Sequence, residues 1–190
     1  MTNYSLYLNV NLRINIFVKD NFNKKGGEFM DDNVYVNFEE TQRILEKQND
    51  IERISFSEWT KKKAKFRYQT SLPNFPIYNN FIYWCDFGLN IGSEQNKLRP
   101  VIIVRTENKS PICTVIPLTS QRMNDKLWYH IDLENENSTA LVEQLRVVSK
   151  IRIVNPYRKK GKLINITKND WESINCELKR LYQLRELKEN

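Results

Sequence analysis

From residue 82 onward the apolar residues come in short β-branched or aromatic runs with polar loops between them, and this pattern constrains the fold more than any other. Ile82, Tyr83, Trp84 and Phe87 form one run and Val101–Val104 another. Ile112–Leu118, Val147–Val148 and Ile151–Val154 follow, and from Leu127 to Leu133 apolar and polar residues alternate. Side chains of these types fill a pleated, half-buried surface. Short strands parted by polar loops predict a mainly β domain, either a small barrel or a compact sandwich. Near the end the pattern changes period. Thr167 or Asn169 is placed to cap a helix whose apolar stripe is Trp171, Ile174, Leu178, Leu181 and Leu184.

The chain before residue 80 reads differently. Tyr4, Leu6, Leu8, Val10, Leu12, Ile14 and Ile16 alternate with mostly polar residues as a strand does, and Lys19–Asn33, with Gly26 and Gly27, is a break. From Phe38 to Ile54 the spacing of Ile44, Leu45, Ile51 and Ile54 predicts a helix that needs an apolar partner. Ser55 and Glu58 have capping-box spacing, so a second short helix is expected there, with Trp59, Lys63 and Phe66 on one side. Its run Lys61–Arg67 (KKKAKFR) is suited to phosphates or to a solvated helix face. Leu72–Asn80, with Pro73 and Pro76, reads as a linker. The expected division is therefore a leader over 1–29, a helical extension and linker over 30–79, and a domain over 80–190. The leader is expected to be untranslated in the native protein: codons for Gly26-Gly27-Glu28 can spell a purine-rich ribosome-binding run, with Met30 as initiator; the alternative is a glycine turn before an internal methionine.

Charge narrows the range of partners. The net charge is +7 over 190 residues, and residues 81–190 hold 18 Lys and Arg against 13 Asp and Glu. A basic domain of this kind suits a polyanion such as RNA. Three cysteines without CxxC spacing indicate neither a disulfide framework nor a zinc site, and fit a reducing cytoplasm. No run approaches the ~20 apolar residues of a membrane span, and the first residues lack a signal-peptide core.

The loop between the first two apolar runs concentrates the chemistry. Gly92-Ser93-Glu94-Gln95 and then Asn96, Lys97, Leu98, Arg99 and Pro100 set a hydroxyl, a carboxylate, an amide and a guanidinium between two strands. GSEQ, three residues, then RPVIIV, preceded by YWxDF at 83–87, resembles the first block of the MazF/PemK family of toxin ribonucleases. Val115–Ser120 (VIPLTS) and Ala140–Arg146 (ALVEQLR) resemble its second and third blocks in order, so the similarity spans roughly residues 80 to 187. Asn96 stands where the family usually has Gly, and Ser149 where Asp is common. The resemblance implies an SH3-like small β-barrel with a C-terminal helix, here carrying a helical N-terminal extension, and a homodimer. It further implies the toxin of a bacterial type II toxin–antitoxin pair, a cytoplasmic, metal-independent, sequence-selective endoribonuclease that cuts single-stranded RNA by 2′-hydroxyl attack, without a cofactor or membrane attachment. A cognate antitoxin protein is the expected partner. Two alternatives are a non-enzymatic toxin of the same fold that binds DNA gyrase and an RNA-binding module without catalysis.

Arg99 leads the catalytic candidates, because a permanently charged fork matches a phosphate and the extra charge of a phosphorane; its plain alternative is a strand-edge salt bridge. Thr119, at a strand end, matches the family's second catalytic position. Glu94 matches a loop carboxylate able to accept the 2′-hydroxyl proton as a general base. Ser93, Gln95, Ser120 and Gln144 are read as RNA-binding, and Glu143 and Arg146 as an internal pair. The single histidine, His130, lies in the alternating segment with no partner in its spacing and is expected to be structural. No metal site is expected.

Overall fold

The computed structural model describes residues 32–183. The alternating segment 4–16, the glycine break, Met30 and Leu184 lie outside the described residues. The described residues divide into two units, one ending at Ile54 and the other beginning at Ser55.

In the first unit, α1 (Asp32–Glu46) is followed by a break and the first turn of α2 (Asp50–Tyr68). The expected helix boundary at Ser55 is therefore corrected to Asn49. The Asn49 side-chain carbonyl accepts from the Glu52 amide at 2.9 Å, satisfying a donor that a helix start leaves unpaired, and Ser55 sits inside α2. Ile44, Ile51 and Ile54 remain exposed, at 63%, 81% and 58%.

The second unit is built on antiparallel pairing. Its strands are β1 (Ile82–Asp86), β2 (Leu98–Thr106), β3 (Ile112–Thr119), β4 (His130–Asp132), β5 (Thr139–Leu141), β6 (Arg146–Ser149) and β7 (Ile153–Pro156), in the order β4-β5-β3-β2-β1-β7. A small hairpin, β8 (Arg158–Lys159) and β9 (Lys162–Leu163), stands apart. Strand β3 changes partner along its length: Ile112–Val115 pair with β6, whereas Leu118 and Thr119 pair with β5. Because β3 changes partner, β5 and β6 belong to the same antiparallel sheet, so one continuous sheet, not a sandwich, accounts for the regular strand spacing.

Strand alternation divides the core in two. Ile82, Ile102, Ile116 and Leu118 point to one side, where Ile174, Trp171, Leu178 and Leu181 of α3 (Lys168–Leu181) cover them. Tyr83, Cys85, Phe87, Val101, Ile103 and Val115 point to the other, with Val148, Ile153, Phe75 and Ile77. The stretch Leu72–Asn80 is thus tied down: Phe75 stacks on Tyr83 at 6.2 Å, and the Tyr83 hydroxyl donates to the Pro76 carbonyl at 3.0 Å. Burial pushes the Cys85 thiol up to about 12 and that of Cys113 up to about 11, which keeps both protonated and inert.

One expectation is corrected, and one left open between two residues is decided. Only His130–Asp132 of the Leu127–Leu133 segment is strand. Asn124 and Lys126 have positive φ and the Asp125 carboxylate accepts from the Leu127 amide at 3.2 Å, so the preceding residues are held in turns. Thr167, not Asn169, caps α3: its hydroxyl accepts from the Asp170 amide at 3.0 Å while the Asp170 carboxylate accepts from the Thr167 amide at 2.9 Å. Asn169 instead donates to Glu134 at 2.9 Å. No helix among the described residues is long and apolar enough to cross a membrane.

Candidate functional site

The loop joining β1 to β2 is ordered by its own polar side chains. The Phe87 amide donates to the Lys97 carbonyl at 3.0 Å and the Lys97 amide to the Gly88 carbonyl at 2.6 Å, closing the base. Asn96 closes the middle: its side-chain oxygen accepts from the Asn90 amide at 2.5 Å, and the Asn90 side chain donates to the Gln95 carbonyl at 2.7 Å. A glycine there could supply backbone freedom but not this bond. Gln144, in the 3₁₀ turn Val142–Gln144, then ties the loop to the barrel. Its side-chain oxygen accepts from the Gln95 amide at 2.8 Å and its nitrogen donates to the Ser93 carbonyl at 3.2 Å. Both ends of the Gln144 amide are therefore occupied in positioning the loop.

Arg99 and Thr119 lie twenty residues apart in sequence and come to the same end of the antiparallel pair β2–β3, because Arg99 is near the start of β2 and Thr119 ends β3. The β2–β3 ladder runs from Val101 opposite Pro117 to Thr106 opposite Cys113, and beyond it Arg99 pairs with Cys85 of β1 and Thr119 with Thr139 of β5. Arg99 Nε donates to the Asn96 carbonyl at 3.1 Å, fixing the guanidinium beside the loop. Among the described residues no carboxylate forms an ion pair with Arg99, so the strand-edge salt bridge is not what holds it there. Thr119 is buried, and its oxygen accepts from the Gln121 amide at 3.2 Å, which leaves the hydroxyl proton to donate elsewhere. Ser120, next to it, is exposed.

A shallow groove of about 440 Å³ brings Ser93, Glu94 and Gln144 together with Glu143, Leu145 and Arg146. Glu94 is exposed, whereas Gln95 is half-buried and its side-chain oxygen lacks a hydrogen-bond partner. Arg146 does not pair with Glu143: its guanidinium lies over the Phe87 ring at 5.3 Å. Glu143 faces His130 instead, with Oε1 3.3 Å from Nε2, while Nδ1 of the same ring is 2.6 Å from Asp125. Desolvation works to raise the Asp125 carboxyl, but the Leu127 amide and the hydrogen bond and charge of His130 outweigh it and hold the group below its ordinary value. His130 thus links a turn to a groove residue, a contact that strand alternation could not reveal because Asp125 lies in the turn and Glu143 on another element. Among the described residues no three His, Cys, Asp or Glu side chains gather as metal ligands.

The root of the loop is clamped from outside by the second half of α2. Gly88 has φ +75°, and a Cβ there would overlap the Trp59 indole. Lys62 pairs with Asp86, whose carboxylate also accepts from the Gly88 amide at 3.0 Å. Arg152 donates to the Asp86 and Phe87 carbonyls at 3.0 and 3.1 Å, and its guanidinium stacks on Trp59 at 5.4 Å. The side of α2 expected to carry Trp59, Lys63 and Phe66 in fact presents Lys62 to Asp86, while Trp59 and Phe66 meet edge to face at 6.4 Å.

Residues 80–182 match the model of the PemK-like, MazF-like toxin of type II toxin–antitoxin systems. The chain is 31% identical over 81 residues to endoribonuclease EndoA of Bacillus subtilis (strain 168), a match covering 38% of this chain and 70% of that protein. Its fold is similar to that of MazF from Deinococcus radiodurans, with a TM-score of 0.50, 14% identity and coverage of 58% of this chain and 100% of the other. A chain in the MazE–MazF structure from the same organism gives a TM-score of 0.46 at 13% identity, covering 59% of this chain and 100% of that one.

Proposed function

Because this chain belongs to the PemK-like, MazF-like family of type II toxin–antitoxin toxins, we propose that it is a sequence-selective endoribonuclease acting on single-stranded RNA. The observation that supports the reading is that Arg99 and Thr119 stand at the same end of the paired strands β2 and β3, with the Arg99 guanidinium beside a loop held in place by Gln144. In this scheme the substrate's own 2′-hydroxyl attacks the adjacent phosphorus, so no metal is needed to generate the nucleophile. Glu94 accepts the hydroxyl proton as general base. The Arg99 guanidinium offsets the charge that builds on the phosphorane, and the Thr119 hydroxyl donates to a phosphate oxygen. The bond to the 5′ oxygen then breaks and that oxygen takes a proton from water, leaving a 2′,3′-cyclic phosphate and a 5′-hydroxyl. Ser93, Gln95 and Ser120 contact the RNA, and Gln144 serves by holding the loop that carries the first two.

Residues 80–190 are proposed as the toxin domain, with 30–79 an extension to it. The working form is a cytoplasmic homodimer neutralised by a cognate antitoxin. The test is incubation of the purified protein with a mixed single-stranded RNA pool in EDTA. Discrete cuts ending in cyclic phosphate are expected, and cleavage that appears only when a divalent cation is restored overturns the scheme. Arg99→Ala and Thr119→Ala should each lower turnover by about 10²–10³-fold while RNA affinity changes much less, since transition-state contacts act mainly on turnover.

A further inference from the structure

Lys63 and Arg67 are one helical turn apart on an exposed side of α2, and like charges at that spacing repel. Among the described residues neither has a carboxylate within ion-pair distance, nor does Arg152. The three cations converge. They line one open groove of about 690 Å³ between the second half of α2 and the turn Lys150–Arg152, and no Asp or Glu is part of its lining. Arg67, in the last turn of α2, also complements that helix end, a role that uses its charge but neither its reach nor its neighbours. Phe66 and Tyr68 line the same groove, and Tyr68 is 83% exposed. Unpaired cations beside an exposed aromatic ring are the elements of a single-strand binding surface, where charge follows phosphates and a ring stacks on a base.

The position of the groove gives it a purpose. Arg152 grips the carbonyls of Asp86 and Phe87, and Arg146, in the groove of Ser93 and Glu94, lies over the Phe87 ring. Phe87 therefore sits between the two grooves. We propose that the cleft between α2 and the Lys150–Arg152 turn is a second binding site for the single-stranded RNA substrate: Lys63, Arg67 and Arg152 hold phosphates of nucleotides flanking the cleavage site, and Tyr68 stacks on a base. This extends the endoribonuclease reading and rests on it for the identity of the RNA.

The test uses the full chain and an uncleavable 2′-O-methyl RNA of about a dozen nucleotides, so binding is read independently of the cleavage assay. Affinity is measured over a salt series for the wild type, for Lys63→Gln/Arg67→Gln and for Lys61→Gln/Lys65→Gln, which removes the same charge from other positions of the helix. The first variant is expected to bind about ten-fold more weakly, with a log–log salt slope shallower by about 1.4, the value for two lost phosphate contacts on a single strand. The second should lose clearly less. Tyr68→Ala should weaken binding about five-fold or more with the slope kept, the signature of lost stacking. Equal losses in the two double variants would reduce the effect to general charge and overturn the site. So would unchanged RNA binding accompanied by weaker capture of a poly-glutamate peptide, which would assign the groove to an acidic polypeptide. If wild-type cleavage fails while the slope still changes as expected, the endoribonuclease reading falls and the RNA groove stands.

Discussion

Helices α2 and α3 are equally polar on average, but α3 gathers its apolar residues on one face far more sharply than α2 does, and the two are held in opposite ways. Each has apolar residues among charged ones, yet α3 buries Ile174 completely under the sheet, with Trp171, Leu178 and Leu181 around it, whereas α2 buries no residue. The second half of α2 is fixed instead by an indole against a glycine, an ion pair and an arginine stacked on that indole. The difference teaches that the segregation of apolar residues onto one face, and not average polarity, decides whether a helix joins the core. Helix α3 is part of the core; the second half of α2 is a clamp on the root of the β1–β2 loop.

The strongest challenge to that contrast is Ile174→Ala, which should cost about 3 kcal/mol, read as a lower denaturation midpoint with an unchanged slope. If it costs under about 1 kcal/mol, α3 is no more integral than α2. Gly88→Ala comes next at about 2 kcal/mol, because it combines a left-handed backbone with overlap on Trp59. Adding Trp59→Ala should recover part of that loss, and strict additivity of the two changes would show that the clamp does not exist. Thr167→Ala should cost about 1 kcal/mol through loss of the capping box. The smallest effect is expected for Ile54→Ser, within about 0.5 kcal/mol, since that side chain is already 58% exposed. A larger loss would mean that a surface in the working assembly covers it.

Much of the domain was legible in the chain itself. Short β-branched runs predicted the strands because alternation along a strand is local, and Thr167 or Asn169 marked the start of α3 to within two residues because capping chemistry is local too. The blocks around Glu94, Arg99, Thr119 and Gln144 pointed to the site through resemblance, and the comparison with known families agrees with that resemblance. Three things were not legible. Asn49, not Ser55, starts α2, because two residues with capping chemistry lay six apart and only the folded backbone chose between them. His130 found Asp125 and Glu143 from a turn and a 3₁₀ element, contacts outside its own strand. Arg99 and Thr119 came to the same end of the sheet through an antiparallel pairing of β2 with β3 that no local pattern encodes. Sequence alone determined which segments pleat, where the last helix begins and which residue types crowd the loop, since those follow from interactions a few residues long. Which side chains meet was decided only by the tertiary structure, because one residue of slip between β2 and β3 would turn every contact to the other face of the sheet.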